Sequence, residues 1–343
     1  MKVLVAMSGG VDSSLAAALL HDAGHHVVGV TMKLWGGAGD RGCCSVSDVE
    51  DARRVADHLG IDHHVFNFAE DFEAKVVGHY VEAHGEGRTP NPCIECNRHL
   101  KFDRLVRRAR VLGFDAVATG HHARVVRRGD GTRRVARGAD PAKDQSYVLH
   151  MLDQATLAQA LFPVGELTKA EVRRLAARRG LRTAAKAESQ DVCFIPSTTG
   201  RRAFLGSRMA LHPGRVVDAA SGEDLGRVDA VELVTVGQRR GLGLAGGGAP
   251  RYVVGVDTAT STVRVGDPAR LVVDGVDLGD LRWCSGPVEG PLLAQCSAHG
   301  TPRPATVRGD RLTWSAPSRR VAPGQAVVLY EGDEVVGGAV AVA

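Results

Sequence analysis

The sequence predicts an α/β protein built on a doubly wound parallel sheet, followed by two smaller β-rich modules of which the last is a β-barrel. Three observations carry that expectation. Short apolar runs alternate with helix-length stretches from the first residues to about Pro196, the order that yields a parallel sheet covered by helices. From Gly206 onward, Val-rich runs of strand length alternate with Gly and Asp turns and helical periodicity nearly vanishes, as in small barrels. The length of 343 residues asks for two or three cores, at roughly 100–200 residues per domain. The units read as residues 1–200, 201–275 and 276–343.

Lys2–Met7 is an apolar run and Val11–Ala23 a helical pattern closed by Gly24, so the chain opens with a strand, a glycine turn and a helix. His26–Met32 gives a second strand. After a Gly-rich loop, Ser47-Asp48-Val49-Glu50 reads as a capping box for a helix that reaches Leu59 and stops at Gly60. A strand over Val65–Phe68, a helix over Phe72–Ala83, a rigid loop at Thr89-Pro90-Asn91-Pro92, a helix over Asn97–Leu112 and a strand over Ala116–Thr119 follow. A hairpin is expected over Ala123–Ala136, and Thr168-Lys169-Ala170-Glu171 is a second capping box.

Composition excludes several classes. With 44% hydrophobic and 24% charged residues, 42 Gly, 14 Pro and no triplet period, the chain is neither disordered nor collagenous. No stretch approaches the roughly 18 uncharged apolar residues of a membrane span, and Met1–Met7 runs straight into Ser-Gly-Gly, so the chain reads as soluble and cytoplasmic, with no membrane partner. Seven irregularly spaced Cys argue against a secreted disulfide framework and for catalytic, redox or metal-binding work. The net charge of +4 conceals a sharp distribution: twelve Lys or Arg against three acids over Cys96–Gly138, and seven against one over Lys169–Lys186, on an otherwise acidic chain. Such concentrations predict a polyanion-binding face on the α/β unit, around its thiols; the plainer reading of each stretch is a solvated helix face.

The most informative residues are Ser8-Gly9-Gly10-Val11-Asp12-Ser13-Ser14, where the first strand meets the first helix. Ligands of open α/β sheets bind outside the carboxyl ends of strands, and a helix N-terminus offers unpaired N–H groups to phosphate. Gly9 and Gly10 allow close backbone approach to an anion, and the serines add hydroxyl donors. Neither G-x-x-x-x-G-K-[ST] nor G-x-G-x-x-G is present, so a Walker ATPase and a dehydrogenase are not indicated. The segment resembles the PP-loop of the N-type ATP pyrophosphatases, which cleave ATP between its α and β phosphates.

Two cysteines stand out. Cys96, just before the helix expected from Asn97 and close to Arg98 and Lys101, is placed for thiolate character, better than Cys93. Cys193 is the second, and two separated thiols suit sulfur relay, one carrying a persulfide that the other attacks or resolves. Cys93-x-x-Cys96 is also half a zinc or iron–sulfur site, with His121 and His122 available to complete it; the reading adopted has no metal site. Cys284 and Cys296 lie in apolar β segments and read as core, and Cys43 and Cys44 carry no assignment.

T-P-N-P-C-x-x-C-N-R-x-x-K-F, A-T-G-H-H-A-R at Ala118–Arg124, K-D-Q-S-Y at Lys143–Tyr147, E-S-Q-D-V-C-F-I at Glu188–Ile195 and G-Q-R-R-G-L-G at Gly237–Gly243 resemble, in this order, the bacterial tRNA-specific 2-thiouridylase family. The resemblance spans nearly the whole chain and implies a HUP-type PP-loop domain and ATP-dependent 2-thiolation of the wobble uridine of tRNA. It implies that Ala6, Met7, Ser8, Gly9, Gly10, Val11, Asp12 and Ser13 hold the phosphates of ATP, that Met32 lies on the adenine side and that Gly120 meets the nucleotide. Cys96 matches the catalytic nucleophile and Cys193 the persulfide carrier, with an alternate disulfide between them. Asn91, Pro92 and Cys93 are implied to meet the target base, His121 to lie beside the site, and Lys143, Asp144, Gln145 and Gln325 to lie at the tRNA. Where many relatives carry an Arg-Tyr tRNA contact, this chain reads Ser297-Ala298-His299-Gly300. Asp12 is the carboxylate nearest the phosphates, placed to orient Mg²⁺ or move a proton. A sulfur-carrier protein or a cysteine desulfurase is the implied donor. A PP-loop ligase acting on a small molecule and a non-catalytic, nucleotide-regulated RNA-binding protein are the competing readings.

Overall fold

The protein is described by a computed structural model covering residues 1–34, 46–187, 192–195, 200–244 and 248–342. Cys43, Cys44, Glu188–Asp191 and Pro196 lie outside these described residues. Strands β1 (Lys2–Ala6), β2 (His26–Lys33), β3 (His63–Asn67) and β4 (Ala116–Ala118) are joined, beyond the hairpin β5 (Ala123–Arg127) and β6 (Arg133–Arg137), by β7 (Ala160–Leu161). Four of them and β7 form a sheet in the order β3-β2-β1-β4-β7, parallel throughout. Val3, Leu4 and Val5 are buried on both faces of central β1, as a parallel strand covered by helices requires. Chain order reverses across β1, so a crevice opens at the carboxyl ends of β1 and β4.

The first helix, Val11–Asp22, follows β1 directly and buries Leu15, Ala16, Ala17 and Ala18; the short side chains let it lie between the sheet and the helix Lys169–Arg178, whose Val172 and Ala176 join the same core. The other face of the sheet is covered by residues 69–85 and 92–111, which bring Phe72, Tyr80, Leu100 and Phe102 onto Leu4 and Val30.

Two helix starts differ from the sequence expectation. The helix expected from Asn97 begins at Pro92: Asn91 caps it by accepting from the Cys93 N–H at 3.0 Å, and Pro92 supplies a preset φ at its first position. Cys96 therefore lies a turn inside the helix, at the first residue of a π-helical stretch, Cys96–Arg104, and not in front of it. The second helix already contains Val46 and Ser47, so Ser47 is not its N-cap. The capping box at Thr168 and Glu171 forms as expected.

β8 (Gly214–Asp218), β9 (Asp224–Val228), β10 (Tyr252–Asp257) and β11 (Thr262–Gly266) form a separate sheet in the order β10-β11-β8-β9 around Val216, Val253, Val263 and Val265. β12 (Val272–Trp283), β13 (Leu292–Gln295), β14 (Arg303–Arg308), β15 (Arg311–Arg319), β16 (Ala326–Glu331) and β17 (Glu334–Ala341) follow, and β12 pairs with both β15 and β17, which closes a six-stranded barrel. The hairpin β5–β6 belongs by sequence to the first unit but pairs through Ala136 with Glu334 of β17. Charge explains the docking. Arg128 and Arg134 reach Glu331 and Glu334, and the Arg137 guanidinium stacks 4.0 Å above the Tyr330 ring.

Candidate active site

The end expected to hold phosphate, the phosphate end, is assembled from β1, the loop Met7–Gly10 and the start of the first helix. Gly9 has φ +72°, and a Cβ there would collide with the backbone carbonyl of Asp48, so only glycine fits. Ser13 Oγ accepts from the Ser8 N–H at 3.1 Å, and the hydroxyls of Ser13 and Ser14 donate to the Gly10 carbonyl at 3.2 and 2.8 Å. These bonds preform the loop. Gly120, just past β4, packs so closely that a Cβ would lie 2.5 Å from Ser13 N. Ala6 to Ser13 and Gly120 are thus brought together at the crevice, and Met32 is buried in neighbouring β2.

Asp12 faces two partners that sequence reasoning did not assign. Lys169 Nζ donates to its Oδ1 and Oδ2 at 2.8 and 2.7 Å, and His122 Nε2 lies 3.0 Å from Oδ1. Burial pushes the carboxyl up, but the hydrogen bonds from His122 and Lys169 and the lysine charge outweigh it and hold Asp12 below its ordinary 3.8. Asp12 is therefore a fixed anion that aims Lys169, and a poor base. The ammonium stands where a magnesium ion on this carboxylate would sit, so the residues do not fit a metal bound by Asp12. The signal for Lys169 was present: the Thr168 capping box fixes it at the first helical position.

The dipeptide His121-His122 connects this end to the cysteine end. His121 is buried between Phe102 and Phe162, with Nδ1 2.6 Å from Thr119 Oγ1 and Nε2 3.4 Å from Lys101 Nζ. An ammonium only donates, so Nε2 accepts and Nδ1 carries the proton. Burial, with the charges of Lys101 and His122, holds His121 well below its ordinary 6.5, hence neutral. With both nitrogens engaged and His122 on Asp12, neither histidine completes a metal site with Cys93 and Cys96. Among the described residues no cluster of three or more His, Cys, Asp or Glu is placed to hold a metal.

Cys93, Cys96 and Cys193 are all half-buried, and Cys96 and Cys193 pack against the same apolar cluster, which also contains Ala6 and Met32. Phe194 anchors the segment carrying Cys193 edge-on against Phe72 and Tyr80. Two thiols 97 positions apart in the chain are thereby held on one core. Cys284 is buried and Cys296 is packed in the barrel, where burial raises the Cys296 thiol to about 12, so both are inert.

The implied tRNA residues have internal partners. The Asp144 carboxylate accepts from Arg137, Ser146 and the Gly138 N–H at 2.8 to 3.1 Å, and Gln145 Oε1 accepts from the His122 N–H at 2.9 Å. Gln325 Nε2 donates to the Thr89 carbonyl at 2.6 Å. Lys143 is half-exposed, and Gln295 Nε2 donates to the carbonyls of Ser297 and Ala298. Part of the two basic stretches is turned onto acidic partners. Lys169 and Lys186 hold Asp12, Asp48 and Asp51, Arg179 holds Asp22, and Arg128, Arg134 and Arg137 dock the hairpin. Others stay exposed on the α/β unit: Arg104, Arg107, Arg108, Arg110 and Arg127 of the first stretch and Arg174, Arg178 and Arg182 of the second. Arg239 and Arg240, on the Gly237–Gly243 loop of the middle module, are exposed too.

Comparison with known proteins decides the family. Profiles described as a tRNA methyl transferase HUP domain, a tRNA methyl transferase PRC-barrel domain and an aminomethyltransferase beta-barrel domain match residues 1–197, 202–267 and 274–341. The tRNA-specific 2-thiouridylase MnmA of Chloroflexus aurantiacus is 48% identical over 98% of this chain and 97% of that protein. The chain belongs to the tRNA-specific 2-thiouridylase family. The enzyme of that name from Mycolicibacterium smegmatis is 49% identical, with 99% of each chain covered. Among solved structures, a 4-thiouridine synthetase–RNA complex with bound ATP aligns with a TM-score of 0.38 and 16% identity over 56% of this chain and 44% of that one. A likeness at that level bears on neither ligand nor activity. Among the described residues no helix is long and apolar enough to cross a membrane.

Proposed function

We propose that this protein converts the wobble uridine of tRNA to 2-thiouridine in the cytoplasm, consuming ATP. The observation that carries the reading is the His121-His122 bridge between an anion-binding strand–helix turn and a core that carries two thiols. The preformed Ser8–Ser13 turn, with its N–H groups and Lys169, would hold the phosphates of ATP while the uracil C2 oxygen forms a bond to the α-phosphorus and pyrophosphate leaves. Adenylation turns a poor oxygen leaving group into a good one. The outer sulfur of a Cys193 persulfide then bonds to C2, and the C2–O bond breaks with the oxygen departing in AMP. The Cys96 thiolate attacks the Cys193 sulfur, the sulfur–sulfur bond to the substrate breaks, and 2-thiouridine leaves with a Cys96–Cys193 disulfide behind it. A dithiol reductant returns both thiols, and a sulfur carrier or cysteine desulfurase reloads Cys193. Asp12 moves no proton in this scheme; it orients Lys169.

Exposed Arg107, Arg108, Arg174, Arg178, Arg239 and Arg240 supply charge for the RNA backbone, and half-buried Asn91 and Cys93, beside buried Pro92 at the start of the cysteine helix, would meet a flipped base. The test is a reaction of the purified protein with tRNA, ATP and a persulfide donor. Release of AMP and pyrophosphate that requires tRNA, with 2-thiouridine at the wobble position by nucleoside mass spectrometry, is the expected result. Ligation of a small molecule without tRNA would contradict it.

A further inference from the structure

The turn Ala322-Pro323-Gly324-Gln325, between β15 and β16, reaches out of the barrel to the loop that precedes the cysteine helix. It takes both backbone polar groups of Thr89: the Thr89 N–H donates to the Pro323 carbonyl at 2.8 Å, and the Thr89 carbonyl accepts from Gln325 Nε2 at 2.6 Å. Gly324 is buried at φ +86°, and a Cβ there would lie 2.9 Å from Thr89 N, so the approach depends on glycine. The turn is itself held by the last strand, Gly324 N–H to the Ala341 carbonyl at 2.9 Å and Ala341 N–H to the Gln325 carbonyl at 2.8 Å.

From Thr89 to Cys96 the chain has little freedom. Pro90 and Pro92 fix φ, the Asn91 side chain caps the helix on the Cys93 N–H, and Cys96 begins the π-helical stretch one turn later. Ile94 and Leu100 of this helix belong to the same buried core as Ala326, Val328 and Tyr330 of the barrel, and a pocket lies beside that contact. The pocket, of about 300 Å³, is lined among others by Arg88, Asn91, Glu95, Arg98, His150 and Asp280, residues of both the cysteine helix and the barrel side. Across it Arg98 Nη1 donates to Asp280 Oδ2 at 3.4 Å. Apolar packing is not directional, so where a pocket borders it the hydrogen bonds set the exact position of the loop against the turn.

We propose that Gln325 is a positioning residue: the barrel turn clamps Thr89 and so sets where Cys96 stands, which couples engagement of the barrel to the cysteine end. The resemblance to the family implied a contact with tRNA for Gln325; here it acts on the protein's own loop. This inference rests on the sulfur-transfer role proposed above for Cys96.

The experiment uses the full-length protein with tRNA, ATP and a persulfide donor, and two variants. Gln325→Met keeps the side-chain volume and deletes the donor; Gly324→Ala keeps the Gln325 amide and pushes on Thr89. Single-turnover thiolation, tRNA affinity and the alkylation rate of Cys96, read by peptide mass spectrometry, are measured for each. The clamp predicts that both variants lose about tenfold in single-turnover rate, with tRNA affinity unchanged within about twofold and Cys96 alkylated faster. Weaker tRNA binding at an unchanged rate in Gln325→Met would make Gln325 an RNA contact and overturn the proposal, as would no change in any of the three. If Gly324→Ala does not fold, Gln325→Met alone decides. A wild-type protein that forms no thiouridine counts against the function, while the alkylation rates still report on the clamp.

Discussion

The phosphate end and the cysteine end of this molecule are built in opposite ways. At the phosphate end the parts are neighbours in sequence: a strand, a glycine turn and a helix start, knitted by Ser8, Ser13 and Ser14 within seven residues. At the cysteine end the parts come from far apart, with Thr89 gripped by Gln325, Arg98 by Asp280 and the Cys96 helix by the Val148 carbonyl through Asn97. The first end is rigid by local construction. The second takes its shape from the barrel and borders a cavity, so its geometry depends on how two bodies meet. On the function proposed above, activation of the nucleotide would use the fixed cradle and admission of a flipped base the seam.

The largest expected effect breaks the phosphate end. Lys169→Ala leaves the Asp12 carboxylate without its cation, and tRNA-dependent release of AMP and pyrophosphate should fall by about 10²–10³-fold, with tRNA affinity unchanged and partial recovery in Lys169→Arg. An unaltered rate would remove Lys169 from the cradle.

Acid should separate the two ends. Burial lowers His150, at the seam, from 6.5 to about 4, so it stays neutral in the folded protein while the unfolded chain takes up a proton. Stability is then complete above pH 6.5 and declines as pH falls toward 4, by up to about 3 kcal/mol. Asp12, whose pKa is lowered, contributes its stabilisation above 3.8 and loses it only below that value. Denaturant unfolding at successive pH values checks this: the decline between 6.5 and 4 should shrink in His150→Asn, and an equal decline in that variant would refute the assignment.

A Gly9→Ala change tests local construction directly. It combines φ +72° with a collision on the Asp48 carbonyl, and should destabilise by about 2 kcal/mol and weaken ATP binding in calorimetry; Gly24→Ala, where φ is +78° but no atom lies within 4 Å, separates strain from collision.

The smallest effects sort the charges. Arg239→Glu and Arg240→Glu should each weaken tRNA binding modestly and reduce its salt slope by about one. Arg134→Ala should instead lower thermal stability, because this arginine is buried on Glu331, and leave tRNA affinity as it was. The reverse pattern would add Arg134 to the polyanion-binding face expected from sequence.

That contrast also marks what was legible. The parallel sheet, the PP-loop and the Thr168 capping box are written in consecutive residues, because strand, turn and cap signals act over a few positions. The sequence pattern puts the start of the cysteine helix at Asn97, because Pro90 and Pro92 together resemble a rigid loop, yet with Asn91 before it Pro92 begins a helix. β7 escaped because two residues carry no periodicity. Net charge was read as a surface property, and the fold turned Lys169, Lys186, Arg134 and Arg137 inward onto acidic partners that no local pattern pairs with them. The link from His122 to Asp12 and the grip of Gln325 on Thr89 join residues 110 and 236 positions apart, beyond any local signal.

The most direct test of the whole account is wobble-uridine thiolation by Cys96→Ser and Cys193→Ser proteins, each given tRNA, ATP and a persulfide donor and assayed by nucleoside mass spectrometry. The account predicts no 2-thiouridine from either variant, with tRNA binding retained. Normal 2-thiouridine formation by both would contradict it.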